Sequence, residues 1–174
     1  MSLIVQDSSG SIAGANSYNT VAEFKSYHND RLNIWDTLVD SDLDIEAALI
    51  RATDYVDQRF SFVGKRKQGR LQTTEWPRIN AWDIGRYYIN DIPFEIKEAV
   101  NEYALRALSA PLVTDPDRDS TGGVIQSKSD TVGPLSESVS YVGGAAFTMP
   151  KYPAADQKLK KSGLVISGGN VLRA

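Results

Sequence analysis

The chain has no cysteine, one histidine and no apolar run approaching the roughly 20 residues that cross a bilayer. Without cysteine there are no disulfides and no thiolate metal sites, and synthesis in a reducing compartment is the expectation. The first residues, Met1-Ser2-Leu3-Ile4-Val5-Gln6-Asp7, lack the basic start and apolar run of a secretory signal. These absences predict a soluble intracellular product without a membrane partner. There is also little excess charge. A net of −3 argues against a dedicated nucleic-acid binder.

What is present suits a globular protein. Hydrophobic residues make up 41% and charged residues 24%, and a chain of 174 residues can bury roughly 70% of its unfolded surface. The charge is unevenly placed. Residues 30–57 hold eight acids against Arg31 and Arg51, a net of −6, while residues 59–86 hold seven bases against Glu75 and Asp83, a net of +5. Adjacent blocks of opposite sign suit head-to-tail contact between copies, although a single charge run is more often a solvated face.

Helical periodicity dominates the first two thirds. Thr20 is an N-cap with Glu23 at the capping-box position, followed by an apolar stripe of Phe24, Tyr27 and Leu32. The acidic group Asp40, Asp42 and Asp44 opens a second helix over 42–60, whose positions 45, 48, 49, 52, 55, 56 and 60 follow a period near 3.6. A third helix starts at Ile92-Pro93, runs through Ile96, Val100, Tyr103 and Leu108, and stops before Pro111. Residues 114–123 read as a linker, 124–132 and 135–142 as two strands around Gly133-Pro134, and 154–161 as a last short helix. The pattern predicts a mainly α fold. A small helical bundle over 1–111 precedes a C-terminal β-hairpin and extended arm over 112–174. That tail has too few large apolar residues to offset its own ordering entropy, so it should order against a partner.

No catalytic set is visible. His28, beside Tyr27, reads as a surface or packing residue rather than a base or ligand. The Asp40-Asp42-Asp44 spacing resembles part of a calcium loop but lacks its glycine and terminal glutamate, so capping is the better reading. The Gly-Gly pairs at 122, 143 and 168 lack the lysine of a phosphate loop and read as hinges. No enzyme, metal or cofactor is expected. The stretch between the long helices is richer. Lys65, Arg66, Lys67 and Arg70 are interleaved with Trp76, Trp82, Tyr87 and Tyr88, the mixture with which a single-strand binder sets cations on phosphates and rings under bases. The competing reading, weighted about two to one, packs both tryptophans over the bundle and leaves the bases solvated or paired. A third places the bases along a channel that passes duplex DNA without reading it.

A succession of motifs carries a family resemblance. Residues 50–57 (Ile-Arg-Ala-Thr-Asp-Tyr-Val-Asp) with Phe60, then Trp76-Pro77-Arg78, Ile92-Pro93 with Ile96, Lys97 and Ala99, and Lys151-Tyr152-Pro153-Ala154-Ala155-Asp156 recur in order. They resemble a tailed-phage family labelled DnaT-like single-stranded-DNA-binding protein. Ser17-Tyr18 and Tyr27-His28 extend the resemblance toward the start. It implies a head-tail adaptor, or head completion protein: a ring of commonly twelve copies below the portal, with the genome passing through it. On that reading the protein resides in the neck of the virion after synthesis in the host cytoplasm. Its partners are itself, the portal, a tail terminator or other neck protein, and passing double-stranded DNA. The arm would grip the portal with Lys158, Lys160, Lys161, Leu164, Val165, Ile166, Leu172 and Arg173, and Lys65, Arg66, Lys67 and Arg70 would face the channel. The alternative is a phage replication accessory protein that binds single-stranded DNA through the loop 59–88.

Overall fold

The computed structural model describes residues 2–113, 125–131, 136–141 and 152–166. The chain divides into two compact units, one of Met1–Leu112 with Lys151–Ala174 and one of Val113–Pro150.

In the larger unit, helices follow from local chemistry and pack through their apolar stripes. Helix α1 (Val21–Asn29) is closed by the Thr20–Glu23 capping box, with Glu23 N–H donating to Thr20 Oγ1 at 3.1 Å and Thr20 N–H to Glu23 Oε2 at 2.7 Å. Helix α2 (Asp42–Arg59) opens with Asp44, whose carboxylate accepts the N–H groups of Ser41 and Asp40 at 2.9 and 3.0 Å. Those bonds, the one from Ser41 first, hold the Asp44 carboxyl below its usual range. Helix α3 (Phe94–Ser109) has Pro93 as its N-cap, a position that needs no N–H.

Ile45, Ala48, Leu49, Ala52 and Val56 of α2 and Ile96, Ala99, Val100 and Ala104 of α3 are fully buried. Each Ile, Leu or Val contributes about 1.5–3 kcal/mol on leaving water. Helix α2 packs on α3, and α3 packs on helix α4 (Pro153–Ser162). Between these three helices lie the rings of Tyr55, Tyr103 and Tyr152, with centroids 5.0 to 6.0 Å apart. They surround a buried ion pair. Arg59 donates to both carboxylate oxygens of Asp156 at 3.0 and 2.7 Å, and the Tyr103 hydroxyl donates to the same carboxylate. Burial and that carboxylate push the Tyr103 phenol well up.

The connection from α2 to α3 carries two small antiparallel sheets. Strand β1 (Lys65–Arg66) pairs with β2 (Arg78–Ile79), and β3 (Ala81–Trp82) with β4 (Tyr88–Ile89). The fold is therefore mixed α/β, and the mainly α expectation is corrected. Strands of two residues carry no readable alternation, so the helical periods alone filled the prediction. The C-terminal β-hairpin is corrected too, since β5 (Ile125–Thr131) and β6 (Ser136–Tyr141) form a hairpin in mid-chain, in the smaller unit. Nor do the described residues 152–166 form an extended arm. Ala155, Leu159 and Leu164 are buried, and Val165 makes an antiparallel bridge to Phe62. For residues 152–166 the ordering cost is offset by burial against the same chain. The linker 114–123 and the Gly-Gly pairs at 122, 143 and 168 lie outside the described residues.

Candidate nucleic-acid interface

The segment between α2 and α3 sorts its bases and rings into two sets. In the first set the side chains turn inward. Arg78 is 8% exposed and donates to the carbonyls of Val63, Gly64, Glu75 and Phe62 at 2.8, 2.9, 3.2 and 3.3 Å, and it pairs with the Glu75 carboxylate. Trp76 is fully buried against Phe62 and is followed by a cis bond to Pro77. Arg66 donates to the Gln72 carbonyl at 3.1 Å and lies 3.5 Å from Glu75. Lys67 reaches the Ser8 carbonyl at 3.1 Å and Asn90 Oδ1 at 3.2 Å, tying the chain start to the end of β4. Gly64, at φ +76°, permits this close packing, because a Cβ there would sit 2.4 Å from the Ile79 carbonyl oxygen.

The second set faces water. Ala81 is buried and Trp82 exposed, as strand alternation requires, and Tyr88 stands opposite Trp82 across the β3–β4 pair. The two rings meet edge to face with centroids 5.1 Å apart, although Trp82 is 54% and Tyr88 46% exposed. Tyr87, one residue before Tyr88, is 73% exposed. The turn that presents these rings is held by Asp83, which accepts from Tyr87 N–H at 2.8 Å through its carboxylate and from Arg86 N–H at 3.0 Å through its carbonyl. Lys65, Arg70 and Arg86 are exposed, and their side chains have no hydrogen-bond or ion-pair partner among the described residues.

Of the four predicted channel residues, Lys65 and Arg70 are thus available, whereas Arg66 and Lys67 are drawn into internal bonds. The two tryptophans split between the competing readings. Trp76 packs over the core and Trp82 does not. Arg86 was not among the predicted site residues; its place in the turn between Trp82 and Tyr87 was the available signal. Of the eight predicted arm residues, Lys158 pairs with Glu98 at 2.7 Å, Leu164 is fully buried and Val165 is half-buried. Lys160, Lys161 and Ile166 are exposed, and Leu172 and Arg173 lie outside the described residues.

The acidic stretch forms a different surface. Leu32, Ile34 and Leu43 are 90%, 72% and 67% exposed, and an open cleft of about 330 Å³ is lined by Asn29, Leu32, Asn33, Ile34, Trp35 and Asp36. His28 is fully buried and lies 3.1 Å from the Asn101 carbonyl through Nε2 and 3.0 Å from Asn33 through Nδ1. Burial lowers its pKa, and its ring packs edge to face against Phe24 and Tyr27. A second inward-facing titratable group is Asp57. Its carboxylate accepts the Tyr18 hydroxyl at 2.7 and 2.9 Å and the Glu75 N–H at 3.0 Å. Burial pushes the Asp57 carboxyl up to about 7. Among the described residues no group of three or more His, Asp or Glu side chains is placed to hold a metal ion, and no helix is long and apolar enough to cross a membrane.

These features define a small mixed α/β fold with an exposed aromatic pair on the β3–β4 hairpin, Arg86 in its turn, and Lys65 and Arg70 exposed on the same connection. The chain belongs to the family described as "Putative DnaT-like ssDNA binding protein", whose model matches residues 1–173. No curated protein and no solved structure matches it.

Proposed function

We propose that the protein binds single-stranded DNA on the β3–β4 face. Trp82, Tyr87 and Tyr88 stack on bases, and Lys65, Arg70 and Arg86 sit along the phosphates. The observation that carries this reading is the solvent-exposed Trp82–Tyr88 pair, on a connection whose Lys65, Arg70 and Arg86 side chains are exposed and have no partner among the described residues. Such rings are costly to leave in water and ready to stack, at about 1–3 kcal/mol per base. The description of the family supports the same class of ligand. A base must leave its duplex to lie on these rings, so single strands are preferred over double strands. The net charge of −3 confines the attraction to the cations, and their three phosphate contacts set a salt slope of about −2. Fluorescence anisotropy with a labelled oligothymidylate tests the proposal. Binding at low salt that is lost in Trp82→Ala/Tyr88→Ala and weakened in Lys65→Ala/Arg70→Ala/Arg86→Ala is expected. No binding by the unaltered chain at low salt would overturn it.

A second reading, the head-tail adaptor ring, is favoured by one observation. The exposed Leu32, Ile34 and Leu43 lie within the acidic stretch, opposite in charge to the face just described. A heterologous contact between these two faces of successive copies would generate a ring or filament. A portal-gripping arm would then draw on Lys160, Lys161 and Ile166, the exposed members of its predicted set. A purified chain that stays monomeric at high concentration, and is absent from the neck of imaged virions, would dismiss this reading.

A further inference from the structure

The two parts of the proposed DNA face belong to separate two-stranded sheets. The cation Lys65 stands on β1, and the rings stand on β3 and β4. The chain joins the sheets through Asn80, at φ +55°, but their outer ends are reached by a distant segment, residues 162–166. Ile84 N–H, in the β3–β4 turn, donates to the Ser162 carbonyl at 3.1 Å. Two residues later the same segment turns to the approach to β1. Val63 N–H donates to the Leu164 carbonyl at 3.0 Å, and Ile166 N–H donates to the Ser61 carbonyl at 2.8 Å. The turn between these contacts is Gly163, at φ +72°, where a Cβ would lie 3.0 Å from Ile84 Cβ and 3.1 Å from Ile84 N. The segment is firmly seated. Leu164 is fully buried, and α4 before it is held by the Arg59–Asp156 pair and by Lys158 on Glu98.

We infer that residues 162–166 are a positioning brace for the DNA face, setting the spacing between the cation on β1 and the aromatic pair on β3–β4. The inference rests on the single-strand reading above. A strand that bonds one sheet's entry and the other sheet's turn lets a nucleotide chain engage both in one geometry. Preorganisation of this kind raises affinity without adding a contact to the ligand. No brace residue need touch DNA.

Gly163→Ala in the full chain is the test. The methyl meets the Ile84 backbone and must move the turn, whereas Gly14→Ala supplies a matched left-handed control. Gly14 has φ +70° and only Ile4 Cδ1 at 4.0 Å nearby. Gly163→Ala should lower oligothymidylate affinity roughly tenfold relative to Gly14→Ala at similar melting temperature. A double-mutant cycle supplies the readout that a general loss of stability would not move. Lys65→Ala and Trp82→Ala should be coupled in the unaltered chain and additive in the Gly163→Ala background. Ile166→Pro removes the donor to Ser61 from an exposed residue and should act in the same direction, so a Gly163→Ala chain that fails to fold leaves the inference open to refutation. Affinity and coupling unchanged in these variants would overturn the brace while single-strand binding stands. Absence of binding by the unaltered chain would overturn both.

Discussion

Trp76 and Trp82 stand six residues apart in one connection and have opposite fates. Around Trp76, Arg78 and Glu75 form a closed set of internal bonds, and the indole is fully buried. Across from Trp82 stands Tyr88, and Arg86 and Tyr87 follow in the same turn, all exposed. The difference lies in what the backbone offers. The first half of the connection has carbonyls of Phe62, Val63 and Gly64 pointing at Arg78, and a buried guanidinium needs such acceptors. The hairpin of the second half is too small to cover its own outer side, so one face of each strand stays in water. Similar side chains therefore become core in one place and a ligand-ready surface in the other.

The largest effects should come from breaking the inward half. Trp76→Ala removes a fully buried indole and should cost about 3–5 kcal/mol of stability. Arg78→Ala, which leaves several carbonyls without their donor and Glu75 with only Arg66 near it, should cost about 3 kcal/mol. Urea denaturation followed by far-ultraviolet circular dichroism measures both.

The outward half should respond in binding instead. Trp82→Ala should change stability by less than about 1 kcal/mol and weaken oligonucleotide binding by about 1–3 kcal/mol. A Trp82→Ala chain that is as destabilised as Trp76→Ala would erase the contrast. A smaller and more specific change is expected from Lys65→Ala, Arg70→Ala or Arg86→Ala. Each should lower the slope of log affinity against log salt by about 0.7 if it faces one phosphate of a single strand. Arg66→Ala should leave that slope unchanged, because its guanidinium is engaged with Gln72 and Glu75.

The inward half also carries a pH dependence. The Asp57 carboxyl titrates near 7 in the folded chain and near its ordinary 3.8 when unfolded. The folded state therefore binds more protons between these values, and stability from this group falls as pH rises from about 4 to about 7. Asp57→Asn retains an acceptor for Tyr18 and should flatten that decline. Melting temperatures measured across this range check it, and a slope unchanged by the substitution would refute the assignment.

Much of the scaffold was legible. The period of 3.6 marked α2 over 42–60, observed as Asp42–Arg59, and the short helix expected at 154–161 is α4, Pro153–Ser162. The Thr20–Glu23 box closes α1 as its spacing required. The strand expectations at 124–132 and 135–142 bracket β5 and β6. Leu32, placed in the stripe of α1, is instead 90% exposed beyond the helix end. The face was half legible. Its residue types were plain in Lys65, Arg70, Trp82, Tyr87 and Tyr88, but the withdrawal of Arg66 and Lys67 was not. Those two engage Gln72, Glu75, Ser8 and Asn90, and the longest of these links reaches 59 residues along the chain.

By itself the sequence determined the helices and their caps, because apolar period and capping are interactions among residues three or four apart. It also determined that a basic, aromatic stretch separates α2 from α3. The tertiary structure alone decided which tryptophan is covered, which cations stay available, and that residues 162–166 return to bond both Val63 and Ile84. Those outcomes depend on backbone groups and side chains brought together from distant parts of the chain, and no local pattern records them.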